Sequence, residues 1–335
     1  MFQKFTTTGI GSMPHRDPLR ACALILDRVD IPFWPQLPGL SFCELMIPQY
    51  SEGMPNIRIV PGEQKIWVVG NGQSAVNSFY ESYTEDAEFP ISGEYARGFA
   101  SFVGIIQGRR FRVLKGHVTG PLTFTLGLKD DRGAPVYFNE EMREISLMVL
   151  RGKVRWQINQ LKKFCDKVMI FIDEPILSAI GTSAYMGVSG DEVARLISSL
   201  VSEIHRFNGI AAIHCCGKAD WKLVMETGID VVNFDAYDYF ENFQIYADSL
   251  KEFLDRGGSV AAGIVPTSSI IRETRPDDLK NSLLGQIEAL GKKTGFRDLP
   301  ERLILTPSCG TGSLSEGEAE RVFETLHAVK QSLVK

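Results

Sequence analysis

The strongest constraint on the fold is an alternation of short apolar runs with longer helical patterns, which continues from about residue 110 to the end of the chain. Each apolar run has the length of a buried strand, and each segment after it has the spacing of an amphipathic helix. A repeated strand and helix unit predicts an α/β fold with a parallel sheet. Two further strands are predicted before residue 110, at 5–10 and 31–34. The other predicted strands are 112–118, 167–172, 210–214, 230–234, 259–265 and 302–306.

Eight such units in 335 residues predict a single (β/α)8 barrel, the TIM-barrel fold. Residues 38–100 interrupt the rhythm, and the segment IRIVPGEQKIWVV (57–69) predicts a β-hairpin across Pro61 and Gly62. We interpret residues 38–100 as an elaboration between the second and third barrel units. An open doubly wound sheet is the competing fold, but no G-x-G-x-x-G follows the first strand. The sequence therefore predicts one barrel domain over residues 1–335.

The composition argues against several classes of function. The 36 basic and 41 acidic residues are interspersed and give a formal net charge of -5, without the basic stripe that binds nucleic acid. Apolar runs such as 168–172 are too short to cross a membrane, and the N-terminal segment lacks the apolar stretch of a signal peptide. We therefore expect a cytoplasmic protein with reduced thiols, in which grouped cysteine and histidine residues bind metal or catalyse.

The chemically useful residues cluster where the predicted strands end. In a (β/α)8 barrel the active site lies at the carboxyl ends of the strands, so polar residues at these positions carry more weight than polar residues elsewhere. The motifs found there are T-G-I-G-S (8–12), H-V-T-G-P (117–121), I-D-E-P (172–175), H-C-C-G (214–217), N-F-D (233–235) and T-P-S-C-G (306–310).

The H-C-C motif and the last strand end together predict a zinc site. Side chains on a strand alternate between its faces, so His214 and Cys216 share a face from which Cys215 points away. Cys309 adds a third ligand, and one histidine with two cysteines is a common zinc set that leaves a position open for chemistry. Asp235 is a candidate for that fourth position when no substrate is bound. The alternative is a buried core, where free cysteines are common.

Two further strand ends supply candidate catalytic groups. His117 is a catalytic candidate, and a structural histidine with satisfied hydrogen bonds is the alternative. Asp173 and Glu174 are adjacent on one strand, so we expect only one of these carboxylates to reach the barrel mouth. A barrel-closing ion pair is the alternative for them. Cys22, Cys43 and Cys165 fall in helical or loop contexts and are interpreted as structural.

These motifs, in this order, resemble the catalytic C-terminal half of cobalamin-independent methionine synthase. That family has a zinc methyltransferase barrel related to uroporphyrinogen decarboxylase and to corrinoid-dependent methyltransferases. The resemblance runs nearly from end to end and is carried by T-T-T-G-I-G-S (6–12), V-T-G-P-L-T (118–123), I-D-E-P-I-L (172–177), H-C-C (214–216), V-V-N-F-D (231–235) and L-T-P-S-C-G (305–310).

The resemblance implies a ligand set for zinc. It assigns the metal to His214, Cys216 and Cys309, and it places Asp235 where the family has a longer glutamate ligand.

The resemblance also implies how a substrate is held. Asp173 takes the position of the aspartate that holds the substrate amino group, and Glu44 lies in the region of a glutamate that assists it. Ile10, Gly11 and Ser12 match the segment that receives the substrate carboxylate.

The function implied is a zinc-dependent S-methyltransferase of methionine biosynthesis that methylates homocysteine, like the 5-methyltetrahydropteroyltriglutamate-homocysteine methyltransferases. The methyl donor is either methyltetrahydrofolate or a methyl-corrinoid protein. The family's full-length enzyme has a second barrel that 335 residues do not accommodate, and Phe124 stands where the family has a tryptophan at the folate site. The alternatives are another thiol acceptor such as coenzyme M, a zinc-binding or thiol-sensing protein without turnover, and a porphyrinogen decarboxylase.

Overall fold

Parallel strands and surrounding helices make up most of the computed structural model, which describes residues 2–70, 72–296 and 298–334. The strands are β1 (Thr6–Thr7), β2 (Ile57–Val60), β3 (Lys65–Val68), β4 (Phe111–Thr119), β5 (Cys165–Asp173), β6 (Ile210–Cys215), β7 (Val231–Phe234), β8 (Ser259–Val265) and β9 (Leu303–Pro307). The helices are α1 (Pro18–Arg28), α2 (Met46–Ser51), α3 (Gln73–Ser82), α4 (Arg97–Ile105), α5 (Pro121–Gly127), α6 (Glu140–Leu161), α7 (Gly190–Arg206), α8 (Trp221–Glu226), α9 (Phe240–Phe243), α10 (Ala247–Asp255), α11 (Pro276–Thr294) and α12 (Glu316–Leu333).

Seven of these strands form one curled sheet in the order β1-β9-β8-β7-β6-β5-β4, and every pairing in it is parallel. Each long connection between neighbouring strands carries at least one helix on the outside, as parallel pairing requires. The predicted α/β TIM-barrel fold is therefore confirmed.

Residues 31–36 fill the gap between the two ends of the sheet. The Ile31 amide donates to the Thr7 carbonyl at 3.0 Å, and the Lys115 amide donates to the Pro32 carbonyl at 2.8 Å. The segment forms isolated bridges to β4 and to Ser12 instead of the continuous second strand predicted at 31–34. Prolines at 32 and 35 explain the difference, because proline has no N–H to donate to a ladder.

Two layers of apolar side chains hold the barrel together. One layer fills the barrel interior with alternate residues of the strands, such as Val113, Phe171 and Ala212. The other lies between the sheet and the helices and includes the intervening residues, such as Ile213 and Cys215. This alternation follows from the period of two along a strand, and it determines which strand residues can reach the barrel mouth.

The insertion at 38–100 contains the predicted hairpin, which is confirmed. β2 pairs antiparallel with β3, and Gln64 takes the left-handed conformation at the turn. The insertion continues through α3 and α4 and is tied to the barrel helices by buried cations. Arg155 on α6 pairs with Glu203 on α7 and donates to the Ala87 carbonyl at 2.5 Å.

None of the helices in the described ranges is both long enough and apolar enough to cross a membrane.

Candidate metal centre

The carboxyl ends of three neighbouring strands bring the candidate site together. Asp173 at the end of β5 is the register partner of His214 on β6, and His214 is the register partner of Asn233 on β7. Neighbouring positions on parallel strands lie side by side on the same face of the sheet. These three side chains therefore form one row across the barrel mouth.

Two cysteines complete a compact donor group beside this row. The ligand atoms of His214, Cys216 and Cys309 all lie within 4.8 Å of one another. His214 is buried, whereas Cys216 and Cys309 are partly exposed at the mouth. Cys215 is fully buried in the layer between the sheet and the helices, away from the group. The structure thus brings together His214, Cys216 and Cys309, which the sequence predicted as ligands, and leaves the third thiol of the region, Cys215, outside the group.

The hydrogen bonds of Asn233 determine which nitrogen of His214 is free. The Asn233 amide nitrogen donates to the Ala261 carbonyl at 2.8 Å and to the Thr306 hydroxyl at 2.9 Å. Its side-chain oxygen must then be the atom that lies 2.5 Å from Nδ1 of His214. An amide oxygen can only accept, so Nδ1 carries a proton, and Nε2 is the ring nitrogen that a metal could bind.

Nε2 of His214 is buried and has no hydrogen-bond partner among the residues that the structure describes. A buried nitrogen without a partner is unfavourable unless something else binds it. Metal-ligating histidines typically donate their other ring N–H to an oxygen, which is the arrangement that Asn233 provides here. This orphaned atom is the observation that fits a metal ligand.

The two thiols affect each other strongly. The neighbouring Cys309 thiol, followed by the His214 imidazole, lowers the pKa of Cys216. The Cys216 thiolate and burial together raise the pKa of Cys309 far above its ordinary value. A thiolate at Cys216 therefore disfavours a second thiolate at Cys309. A bound cation would favour the thiolate form of both, since metal-bound thiols are deprotonated.

The chemistry of this donor set fits zinc. One imidazole nitrogen with two thiolate sulfurs is a soft, nitrogen-containing set that zinc prefers and that magnesium and calcium do not. Three protein ligands leave one position of a tetrahedral ion for a substrate. Among the residues that the structure describes, His214, Cys216 and Cys309 are the one group of three histidine, cysteine or carboxylate side chains close enough together to hold a metal ion.

Asp235 lies near this group but is not one of its three members. Its Oδ1 accepts hydrogen bonds from the Tyr237 and Asp238 amides, each at 3.0 Å, and so holds the turn that follows β7. Burial raises the pKa of Asp235 to about 6, and these two hydrogen bonds oppose the shift. Its role as a fourth ligand stays a prediction.

The segment at residues 10–12 lies beside Cys309. The Ser12 carbonyl accepts hydrogen bonds from the Thr311 amide at 2.8 Å and the Thr311 hydroxyl at 3.0 Å. The approach is so close that a Cβ at Gly310 would lie 2.1 Å from Oγ of Ser12. Neither the Gly11 nor the Ser12 amide donates a hydrogen bond to any described residue, so both N–H groups are candidate donors to a bound anion.

Asp173 and Glu174 have different surroundings, as the alternation along β5 requires. Asp173 is half-buried on the site side, and its Oδ1 has no hydrogen-bond partner in the described chain. Burial raises the pKa of Asp173, and the charge of Lys115 opposes the shift. Glu174 is fully buried on the other side, where it accepts from the Leu122 and Thr123 amides, each at 2.8 Å, at the start of α5. Of the two carboxylates, Asp173 is therefore the one with an unpaired oxygen on the side of the site.

Glu44 and His117 occupy buried positions. The Glu44 carboxylate accepts from the Leu37 amide at 3.1 Å and the Arg97 amide at 3.2 Å, so both of its oxygens are bound to backbone. The His117 ring stacks on Trp34 with centroids 3.9 Å apart, and neither of its nitrogens has a partner in the described ranges. Burial, followed by the charge of Lys115, lowers the pKa of His117 well below its ordinary value, so the ring is neutral.

The structure adds two polar residues that the sequence analysis did not single out as ligand-positioning groups. Asn233 was noted only as part of a polar strand end, and its contact with His214 depends on the register between β6 and β7. Lys115 lies within an apolar run, and its burial inside the barrel depends on which face of β4 is interior. Single-sequence patterns do not specify either property.

Among solved structures, a B12-independent methionine synthase from Shewanella sp. W3-18-1, determined in complex with selenomethionine, is similar over almost the whole length. The match has a TM-score of 0.60, covers 99% of this chain and 98% of that one, and has 14% sequence identity. This chain shares its fold. A broad-specificity endoglucanase from Clostridium longisporum covers 72% of this chain and 77% of its own, at a TM-score of 0.42 and 12% identity. No family model and no curated protein matches the sequence.

Proposed function

We propose that the protein is a zinc-dependent S-methyltransferase that methylates homocysteine to give methionine. The observation that carries the proposal is the group of His214, Cys216 and Cys309, whose ligand atoms lie within 4.8 Å of one another at the mouth of the barrel. The likeness in fold to a methionine synthase is consistent with it.

The surrounding groups suit an α-amino acid that bears a thiol. The free oxygen of Asp173 is an acceptor for an ammonium group, and the free amides of Gly11 and Ser12 are donors for a carboxylate. The metal group lies beside both, because Asp173 neighbours His214 in the sheet and Ser12 contacts the segment that contains Cys309. Homocysteine carries an ammonium, a carboxylate and a thiol in one molecule.

A zinc ion held by these ligands would supply a Lewis acid that keeps a coordinated substrate thiol deprotonated at neutral pH. The chain's own residues orient the reactants. Asp173 and the amides at 11 and 12 fix the two ends of the amino acid, which leaves the sulfur at the metal group. The thiol proton leaves to water, the sulfur forms a bond to the methyl carbon, and the bond between that carbon and the donor breaks with its electron pair staying on the donor. Holding the two reacting atoms together in this way accounts for much of the rate.

We propose that the methyl donor is methyltetrahydrofolate or a methyl-corrinoid protein. We also propose that the protein acts in the cytoplasm and has no nucleic-acid or membrane partner. Phe124 is a fully buried residue of α5 and packs in the core. Its ring is therefore not available to stack on a pterin, and any folate site must use other residues.

Two measurements on purified protein test the proposal. Elemental analysis should give about one zinc per chain, as expected for three protein ligands and one open position. An assay for methionine from homocysteine, with methylcobalamin and methyltetrahydrofolate compared side by side, then identifies acceptor and donor. A protein without zinc contradicts the proposal outright. A zinc-containing protein that methylates coenzyme M only would have a different thiol acceptor from the one proposed. A zinc-containing protein that methylates no thiol would have a non-catalytic zinc-binding or thiol-sensing role.

A further inference from the structure

Lys115 is a buried cation inside the barrel. It lies on β4 with its side chain completely inaccessible to solvent, and its ammonium is 4.2 Å from the Phe171 ring centroid and 5.4 Å from that of Phe33. It forms no ion pair with any carboxylate in the described part of the chain. A buried charge without an ionic partner is unfavourable, so Lys115 lowers the stability of the fold unless another charged group compensates it.

The Lys115 ammonium makes one hydrogen bond within the described part of the chain, to the backbone carbonyl of Ile10. That carbonyl belongs to the peptide unit whose N–H is on Gly11, at the start of the segment with two unpaired amides. Because the carbonyl and N–H of a peptide unit point in opposite directions, holding the Ile10 carbonyl against the lysine directs the Gly11 N–H away from it. Lys115 therefore fixes the orientation of a candidate anion-binding amide.

The charged and titratable groups around Lys115 are few. Asp173 on β5 acts on it from the mouth, and the neutral ring of His117 lies two residues further along β4. Burial lowers the pKa of Lys115, and the charge of Asp173 opposes that shift. If Asp173 binds a substrate ammonium, its charge is compensated by that ammonium, and the lysine lacks a counter-ion. A carboxylate bound at residues 10–12 would supply one.

We propose that Lys115 is the positioning residue and buried counter-charge for the carboxylate of the substrate. It orients the peptide at residues 10 and 11, and its positive charge attracts the anion that the Gly11 and Ser12 amides bind. The inference rests on the proposed function, because it takes an α-amino acid as the ligand. It adds that recognition of the carboxylate depends on a lysine beneath the binding segment and not only on the segment itself.

The test compares two ligands that differ only in the carboxylate, namely methionine and its decarboxylated analogue methylthiopropylamine, by titration calorimetry on zinc-loaded protein. Lys115→Met should weaken methionine binding by about tenfold or more, since it removes the positive charge that attracts the carboxylate and the hydrogen bond that orients the peptide between residues 10 and 11. It should leave the affinity for methylthiopropylamine unchanged. Its melting temperature should stay the same or rise, because a methionine at this position removes an unpaired charge from the interior.

The matched control is Lys153→Met. Lys153 lies on α6, outside the barrel interior, and is also fully buried. Its ammonium donates to the Pro90 carbonyl at 3.2 Å. This change should alter the affinity for neither ligand. Lys115→Gln retains a donor for the Ile10 carbonyl without the charge, so it should still weaken the binding of methionine and not that of methylthiopropylamine. It replaces Lys115→Met in the test if that variant does not fold.

Several results would overturn the inference. Equal losses for both ligands in Lys115→Met would indicate a general disturbance of the site, and unchanged methionine binding would exclude a role in recognition. Wild-type affinity in Lys115→Gln would exclude the counter-charge. Failure of the proposed function looks different, because wild-type protein would then bind neither methionine nor homocysteine, which contradicts both proposals together.

Discussion

The side-chain oxygen of Asn233 lies 2.5 Å from Nδ1 of His214, and the other end of the same amide is fixed by Ala261 and Thr306. This contact determines the tautomer of the histidine and directs its free nitrogen to the two cysteines. Changing Asn233 to Ala should therefore weaken zinc binding by roughly 10–100-fold, the range typical for loss of a group that orients a metal ligand. Competition with a chelator measures the change.

The control for that experiment is Thr306→Val. It removes one of the two acceptors of the Asn233 amide and leaves the contact with His214 in place. A loss of zinc affinity as large as that of the alanine variant would show that packing, and not the histidine contact, controls the site.

Zinc content should distinguish neighbouring cysteines. Cys309→Ser removes a thiolate from the group within 4.8 Å and should reduce the zinc bound to well below one ion per chain. Cys215→Ser alters a side chain that is buried in the outer layer and should leave the zinc content close to that of the wild type. Equal losses in the two variants would mean that the faces of β6 are wrongly assigned. Elemental analysis after gel filtration gives the answer.

Reactivity of the metal-free protein should follow the charge on the thiols. The neighbouring Cys309 thiol and the His214 imidazole lower the pKa of Cys216, whereas burial raises the pKa of Cys215 to about 12. Since the thiolate is the nucleophile, iodoacetamide at pH 7 under reducing conditions should modify Cys216 at least about tenfold faster than Cys215. Added zinc should protect Cys216. Peptide mass analysis over time measures both rates, and protection of Cys215 alone would count against the site.

The sequence predicted the barrel because buried parallel strands are short and apolar, and seven of the eight expected strands belong to the sheet. The exception at 31–34 contains Pro32 and is followed by Pro35, and these prolines break the hydrogen-bond ladder but still allow isolated bridges. The three ligands could be proposed because His214 and Cys216 are two residues apart and Cys309 ends the last strand. The orientation of each ligand depends on the register between strands, which a single sequence does not encode.

The side chains beneath the mouth show the same limit. Lys115 in an apolar strand would ordinarily be expected to face solvent, yet it lies inside the barrel because alternate residues of β4 do so. Glu44 was predicted as a substrate contact from the family resemblance, and its backbone partner Arg97 is 53 residues away in the sequence. Contacts of this kind arise only when the insertion packs on the barrel.

Glu44 should contribute to the pH dependence of stability. Burial raises its pKa from 4.5 to about 7, so between these values the folded chain binds a proton that the unfolded chain has released. The free energy of unfolding should therefore fall as the pH rises from about 4.5 to 7, with Glu44 contributing on the order of 1–3 kcal/mol. Glu44→Gln cannot titrate, so its stability should fall less steeply across this range. Urea denaturation at several pH values measures the slope, with the exposed Glu226→Gln as control. A slope in Glu44→Gln equal to that of the wild type would show that this carboxyl does not titrate in that window.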